Sequence, residues 1–127
     1  MKDFSIKLSN KPGDLARVAQ ALSRRGVNIK ALTALSMDGV AMARILPDDA
    51  AAARGALEAA NIRFTEGEVH LVLLENKAGV VATVTDRLGE AGINLEAIYI
   101  TGIADDLVEL AFVSDNPKKT KKILDEF

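Results

Sequence analysis

The sequence predicts an α+β fold built from two similar βαββαβ units. Three observations support this prediction: an internal repeat, apolar residues that alternate along candidate strands, and helical spacing of apolar residues between those strands. Across Asn10–Leu32 and Asn76–Ile98, nine of 23 positions are identical, so the chain contains two copies of one pattern. We therefore expect one unit in residues 1–68 and a second in residues 69–127.

The first unit begins with a strand in which Phe4, Ile6 and Leu8 alternate with polar residues. After the break at Pro12-Gly13, an amphipathic helix is predicted to run from about Leu15 to the left-handed stop at Gly26. The other elements follow in order: a strand over Ile29–Met37, a hairpin turn at Asp38-Gly39, a strand over Val40–Leu46, a helix opened by Pro47-Asp48-Asp49, and a short fourth strand over Ile62–Thr65.

The second unit repeats this order, but its pattern stops one strand early. No equivalent of Ile62–Thr65 follows its last helix, so we expect it to lack a fourth strand. Its first sheet edge would then be exposed, covered by a partner, or served by the stretch Ile62–Val69. The hairpin turn is expected to be one residue longer than in the first copy. The predicted elements are strands over His70–Leu74, Leu95–Thr101 and Leu107–Val113, a helix with Val81, Val84, Thr85 and Leu88 on one face, and a last helix with Thr120, Ile123, Leu124 and Phe127 on one face.

This strand order is the ferredoxin-like arrangement, in which both helices of a unit cover one face of an antiparallel sheet. The other face is predicted to be open and yet apolar. A face of that character is normally covered, so we expect a homodimer. The open-face residues concerned are Met42, Leu46, Leu71, Leu73, Ala111 and Val113.

Composition excludes several classes of function. There is no cysteine, which rules out disulfides and thiolate chemistry and suits a cytoplasmic location. The net charge is −2 with the two signs mixed, which argues against nucleic acid, and the apolar runs are too short for a membrane. His70 is interpreted as a structural residue at a strand end. No nucleophile with a base, no acid–base pair and no metal set is evident, so we expect a non-enzymatic protein without a cofactor.

The loop after the first strand of each unit could bind a ligand. Gly13 and Gly79 let the backbone approach a small molecule, and the helix N-terminus behind them favours a carboxylate. Asn10 and Asn76 can both donate and accept hydrogen bonds. The alternative is purely local, because glycine and asparagine are also the ordinary residues of turns.

The pattern Asn10-Lys11-Pro12-Gly13-Asp14-Leu15, followed by Gly26-Val27-Asn28-Ile29, resembles the ACT domain, a small amino-acid-sensing module. Asn76-Lys77-Ala78-Gly79-Val80-Val81 with Gly92-Ile93-Asn94-Leu95 is similar to a second one. The resemblance implies two units side by side in one continuous sheet, with an amino acid bound at their seam. It implies two sets of ligand-binding residues: Asn10, Pro12, Gly13, Asp14 and Leu15 with Asn94 and Leu95, and Asn76, Gly79, Val80 and Val81 with Asn28 and Ile29.

The two copies differ within this loop. Ala78 replaces Pro12 and Val80 replaces Asp14, so we expect the two sites to differ in affinity. Two functions remain open. The first is a regulatory protein that binds a free amino acid and acts on an enzyme or transcription factor encoded elsewhere. The second is an interaction or assembly subunit in which the ACT pair serves only as a ligand-free scaffold.

Overall fold

The computed structural model describes all 127 residues, which form two compact units, Met1–Gly67 and Glu68–Phe127. The first unit contains four strands and two helices in the order βαββαβ. The strands and helices follow one another in the order that the sequence predicts, because each apolar pattern has the period of the element that it forms. The elements are β1 (Lys2–Leu8), α1 (Asp14–Arg24), β2 (Ile29–Met37), β3 (Val40–Pro47), α2 (Ala50–Ala59) and β4 (Thr65–Glu68).

The second unit has three strands and two helices in the order βαββα. The predicted absence of a fourth strand in this unit is confirmed, since its sheet has only three strands. None of the four helices in the chain has the length and apolar character needed to cross a bilayer. The elements are β5 (His70–Glu75), α3 (Val80–Glu90), β6 (Leu95–Ala104), β7 (Leu107–Ser114) and α4 (Pro117–Leu124).

Strand pairing gives two antiparallel sheets, and each has the strand order predicted for a ferredoxin-like unit. The four-stranded sheet has the order β2-β3-β1-β4, and the three-stranded sheet has the order β5-β7-β6. The single continuous sheet expected from the sequence is therefore replaced by two sheets. Strand β4 also begins three residues later than expected. The chain leaves α2 through Asn61 in a left-handed conformation, and Ile62 is then buried in the core before the strand starts.

The extra residue in the second hairpin lies inside a strand, not in the turn. Met37 pairs with Val40 and Ala104 pairs with Leu107, so both turns contain two residues. The register of β6 instead shifts between Ile100 and Gly102, which makes Thr101 a β-bulge. The expectation of a longer turn was wrong, because a bulge absorbs an added residue while the preferred two-residue turn is kept.

Each unit has its own apolar core between its sheet and its two helices. Phe4, Val18 and Leu57 are central to the first core, and Val84, Leu88 and Phe112 to the second. Thr120 and Leu124 are buried on the last helix as expected. Phe127 is not, because the helix ends at Leu124, and the Phe127 side chain is 41% exposed.

The same pair of hydrogen bonds ties the start of the second strand to the start of the second helix in both units. The amide of Asn28 donates to the Asp48 carboxylate at 3.1 Å, and the amide of Asp48 donates to the Asn28 carbonyl at 3.0 Å. Asn94 and Asp115 repeat both bonds, each at 3.1 Å. The bridge formed by this pair satisfies backbone groups outside the regular elements, so it fixes the path of the chain there.

The open face of the sheets is only partly exposed. Leu46, Ala111 and Val113 were expected on an open apolar face that a partner chain covers, but all three are buried within the chain itself. Met42 and Leu73 are exposed as expected, with exposed fractions of 36% and 56%. Three further apolar residues extend this surface on the hairpin of the first unit: Leu35, Met37 and Val40.

Two glycines of the second unit, which lie close together in the chain, should respond oppositely to alanine. Gly89 lies in the exposed surface of α3 with helical geometry, and a Cβ there would meet no atom within 4 Å. We expect Gly89→Ala to raise the free energy of unfolding by about 0.5–1 kcal/mol, because it restricts the unfolded chain. Gly92 has a φ of +75°, so Gly92→Ala should lower the free energy of unfolding by about 1 kcal/mol. Urea denaturation measures both changes in stability. Equal effects of the two substitutions would contradict a helical backbone at Gly89 and a left-handed one at Gly92.

Candidate functional site

The loop that joins β1 to α1 contains two residues in the left-handed conformation. Asn10 has a φ of +56° and Gly13 a φ of +84°. Gly13 precedes the first residue of α1 and offers no side-chain cap, so its backbone makes the turn into the helix. Its carbonyl accepts the first helical bond, from the amide of Arg17 at 3.0 Å. The amides of Leu15 and Ala16 lie in the first turn, where no helical acceptor is available.

Asp14 closes this loop. Its Oδ2 accepts hydrogen bonds from both the backbone amide and the hydroxyl of Ser9, the latter at 2.8 Å. Its Oδ1 lies 4.0 Å from Nε of Arg17. The Ser9 amide, then the Ser9 hydroxyl, hold the pKa of the Asp14 carboxyl below its ordinary value of 3.8. Asp14 is therefore ionised at neutral pH, and it fixes the shape of the loop.

Asn10 connects the loop to the edge strand β2. The hydroxyl of Ser36 donates to Oδ1 of Asn10 at 3.0 Å, which leaves the Asn10 amide group pointing to no protein acceptor. Between the loop and β2 lies an open cleft of about 430 Å³. A cleft of this volume is within the range of small-molecule sites. It is lined by Leu8, Asn10, Lys11, Pro12, Asp14, Leu15, Ala34, Leu35, Ser36 and Ala41.

The equivalent loop of the second unit is tied down differently. Gly79 repeats the left-handed turn with a φ of +89°, but the amide of Asn76 donates to the carbonyl of Asp106 at 2.7 Å. The bulge at Thr101 shifts β6 by one residue, so Ile103 takes the position of Ser36. Asn76 thus has no hydroxyl partner there. The surface beside this loop is apolar, with Val81, Ile100 and Ile103 all exposed.

Within one unit, the loop residues lie far from the start of the second strand. The pairing that the resemblance implies joins the loop of one unit to the second strand of the other, and it stays a prediction. Asn10 contacts Ser36 near the end of β2, whereas Ile29 is its first residue, seven positions and about 23 Å away along the strand. The Asn28 and Asn94 side chains are exposed, while their backbones form the bridges to Asp48 and Asp115. Ile29 and Leu95 pack against the core of their own units.

Sequence reasoning missed the residues of β2 and β3 that form the second wall of the cleft. Ala34, Ser36 and Ala41 lie opposite the loop because β1 and β2 both run antiparallel to β3 and therefore end at the same edge. The small side chains at these positions leave room for the cleft. The predicted strand order already contained this signal, since it places the end of β2 beside the end of β1.

The single histidine lies outside this cleft. His70 is half-buried at the start of β5, and its Nε2 is 3.4 Å from Oδ1 of Asp125 on the last helical turn. Burial lowers the pKa of the imidazole, and the nearby Asp125 carboxylate only partly opposes that effect. The structural role expected for His70 stays a prediction.

The fold and the paired loops agree with one protein family. A family model described as an ACT domain pair matches residues 1–126. The chain belongs to this family. A comparison with curated proteins finds no match.

Several solved structures are similar to this chain. Protein BT0572 from Bacteroides thetaiotaomicron superposes with a TM-score of 0.86 at 25% identity, over 98% of this chain and 86% of that one. The ligand-free regulatory subunit of aspartate kinase from Thermus thermophilus gives a TM-score of 0.72 at 19% identity, over 98% and 87%. A structure of aspartokinase alpha and beta subunits gives 0.69 at 14%, over 98% and 90%. At the lower identities the likeness concerns the fold alone.

The charge of Asp14 should make the ACT pair lose stability in acid. The pKa of this carboxyl is lower in the folded state than in the unfolded one, so its contribution is present above pH 3.8 and is lost as the pH falls through the folded value. Asp14→Asn keeps an acceptor for Ser9 but removes the titration. We expect the fall in melting temperature between pH 5 and pH 2 to be smaller in this variant.

Asp38→Asn is the matched control, because Asp38 lies in the exposed turn of the first hairpin and has no hydrogen-bonding partner. Its acid profile should follow that of the unmodified protein. Identical profiles for Asp14→Asn and the unmodified chain would rule out the Ser9–Asp14 bonds as a source of acid sensitivity.

Proposed function

We propose that this ACT domain pair is a non-catalytic regulatory protein that binds a free amino acid at the β1–α1 loop of its first unit. The observation that carries the proposal is the cleft between this loop and β2. Its lining residues include Asn10, which has an amide donor, and Asp14, which has a carboxylate, together with apolar residues. Such a combination suits a zwitterion with a side chain.

The groups that would hold an amino acid are close together in the chain. A carboxylate is stabilised by the free amide group of Asn10 and by the unpaired amides of Leu15 and Ala16 at the start of α1. An ammonium group is attracted by the ionised carboxylate of Asp14. Leu8 and Leu15 supply apolar surface for an aliphatic side chain.

The second unit offers a poorer site in this proposal. Val80 replaces the acidic Asp14, so the attraction for an ammonium group is missing. Ile103 stands where Ser36 orients Asn10, and the Asn76 backbone is drawn to the hairpin turn instead. We therefore assign the functional loop site to the first unit. The contributions of Asn28, Ile29, Asn94 and Leu95 that the resemblance implies stay predictions, as does the cytoplasmic location.

A regulatory role needs a target, and we place that target in amino-acid metabolism. Among the similar structures are regulatory subunits of aspartate kinase from Thermus thermophilus and Thermus flavus. In this proposal the amino acid shifts the population of conformations that the target recognises, to the extent that it binds them with different affinity.

A ligand-free assembly subunit is the second candidate, and the exposed hairpin of the first unit favours it. Leu35, Met37, Val40 and Met42 form an apolar surface on one face of β2 and β3, with exposed fractions between 36% and 67%. Surfaces of this kind mark protein contacts. The homodimer expected from the sequence is compatible with both candidates.

Binding of an amino acid should raise the melting temperature of the full chain. In a thermal-shift screen of the twenty amino acids, a ligand at one hundred times its Kd stabilises by about 2.7 kcal/mol. Asn10→Ala should lower the affinity for the amino acid identified in the screen by about tenfold, because one hydrogen bond to a charged group is lost. Titration calorimetry measures the change in Kd.

Asn76→Ala is the matched control, since it removes the equivalent side chain from the second loop. It should leave the affinity of the first site within twofold. If no amino acid shifts the melting temperature at millimolar concentration, the assembly candidate is favoured. If Asn76→Ala is the more damaging variant, the site has been assigned to the wrong unit.

The apolar hairpin surface should mediate self-association. We expect sedimentation velocity to give a dimer at high micromolar concentration, and the double variant Leu35→Lys/Met42→Lys to give a monomer, because buried lysine charges are costly to desolvate. Ile103→Lys introduces the same charge at an exposed apolar residue on the helix-facing side of β6 and should stay dimeric. A monomeric unmodified chain would contradict the prediction.

A further inference from the structure

The first unit contains a second cleft, which the amino-acid proposal does not use. It has a volume of about 460 Å³ and lies on the other side of the Ser9–Asp14 hydrogen bonds. Its walls come from the end of β1, the side of α1 and the segment that follows α2. The residues that line it include Arg17, Asn61 and Arg63. Asp14 borders both clefts, so it forms the wall between them.

The arginines at this cleft have little protein charge to neutralise them. Arg63 is exposed and has no salt-bridge partner in the chain. Arg17 meets only the Asp14 carboxylate, at a long 4.0 Å, and Asp14 already accepts two hydrogen bonds from Ser9. Lys7 also borders the cleft. Side chains alternate between the two faces of β1, and the Lys7 side chain lies on the open face of the sheet with its pairing partner Met42. The two guanidinium groups therefore supply the positive potential.

A further side-chain donor lies at this edge of the sheet. Asn61, in a left-handed conformation at the end of α2, adds a side-chain amide. An amide donor beside arginines suits an oxyanion, because each supplies N–H groups to its oxygens.

The two units also differ in net charge, and the unit that contains this cleft is the positive one. Residues 1–67 contain ten Lys and Arg against seven Asp and Glu, whereas residues 68–127 contain six against eleven. The second unit also lacks the counterparts of the cleft residues. Thr83 stands in the position of Arg17, and the three strands of the second sheet include no counterpart of β4, the strand that Arg63 precedes in the first unit.

We propose that this cleft is an oxyanion site, which binds a small molecule through a phosphate or carboxylate group held by Arg17 and Arg63. The guanidinium fork matches the oxygen spacing of both groups, so one geometry accepts either. The site is separate from the amino-acid cleft but shares Asp14 with it. An anion that draws Arg17 towards it therefore alters the charge around the carboxylate that would meet an ammonium group.

The test measures the melting temperature of the full chain with inorganic phosphate or with succinate, against sodium chloride at equal ionic strength. We expect at least one of the two anions to raise the melting temperature, and Arg63→Gln to weaken its binding by about tenfold in calorimetry. The anion with the larger Arg63-dependent effect identifies the group that is recognised. Arg17→Gln should act in the same direction.

Lys30→Gln is the control, because Lys30 is an exposed cation of the first unit that borders neither cleft. Its affinity for the anion should be unchanged. The proposal is overturned if neither anion raises the melting temperature more than sodium chloride does. It is also overturned if the rise is unchanged in Arg63→Gln. Asn10→Ala separates the two sites: it should leave anion binding intact, so a failure of the amino-acid screen does not decide this result.

Discussion

The left-handed glycine before the first helix of each unit is the constraint on which the candidate sites depend. Gly13 and Gly79 have φ values of +84° and +89°, a region that costs any residue with a Cβ about 1–2 kcal/mol. The turn lets the chain leave a strand and enter a helix whose first amides stay unpaired. In the first unit the same turn brings Asp14 back to Ser9, and these bonds divide the two clefts.

The two units share a common framework, and they differ mainly in the residues at their surface loops. The two cores are built from equivalent positions, and the bridges Asn28–Asp48 and Asn94–Asp115 agree bond for bond. These features follow from packing and from the need to satisfy backbone groups, which are the same in both copies. The loops carry the differences. One is polar and acidic, and the other is flanked by exposed valine and isoleucine.

Much of the fold follows from the sequence because the repeat shows each element twice. The helix stops at Gly26 and Gly92, the Asp38-Gly39 turn and the missing fourth strand all have local signals. The bulge at Thr101 has none, since an added residue can enter either a turn or a strand. The burial of Leu46 also has no local signal, because alternation assigns a residue to a face but not the exposure of that face.

By itself, the sequence determined the two-unit fold and the ACT family, and it singled out the loops that we propose as ligand sites. These depend on apolar periodicity, turn residues and a short motif, all of which act between neighbours in the chain. Only the tertiary structure decided that Ser36 orients Asn10, that a bulge places Ile103 at the equivalent position, and that Arg17 and Arg63 border one cleft. These contacts join residues that are far apart in the chain, and their register and distance are set by strand pairing and by packing across the sheet.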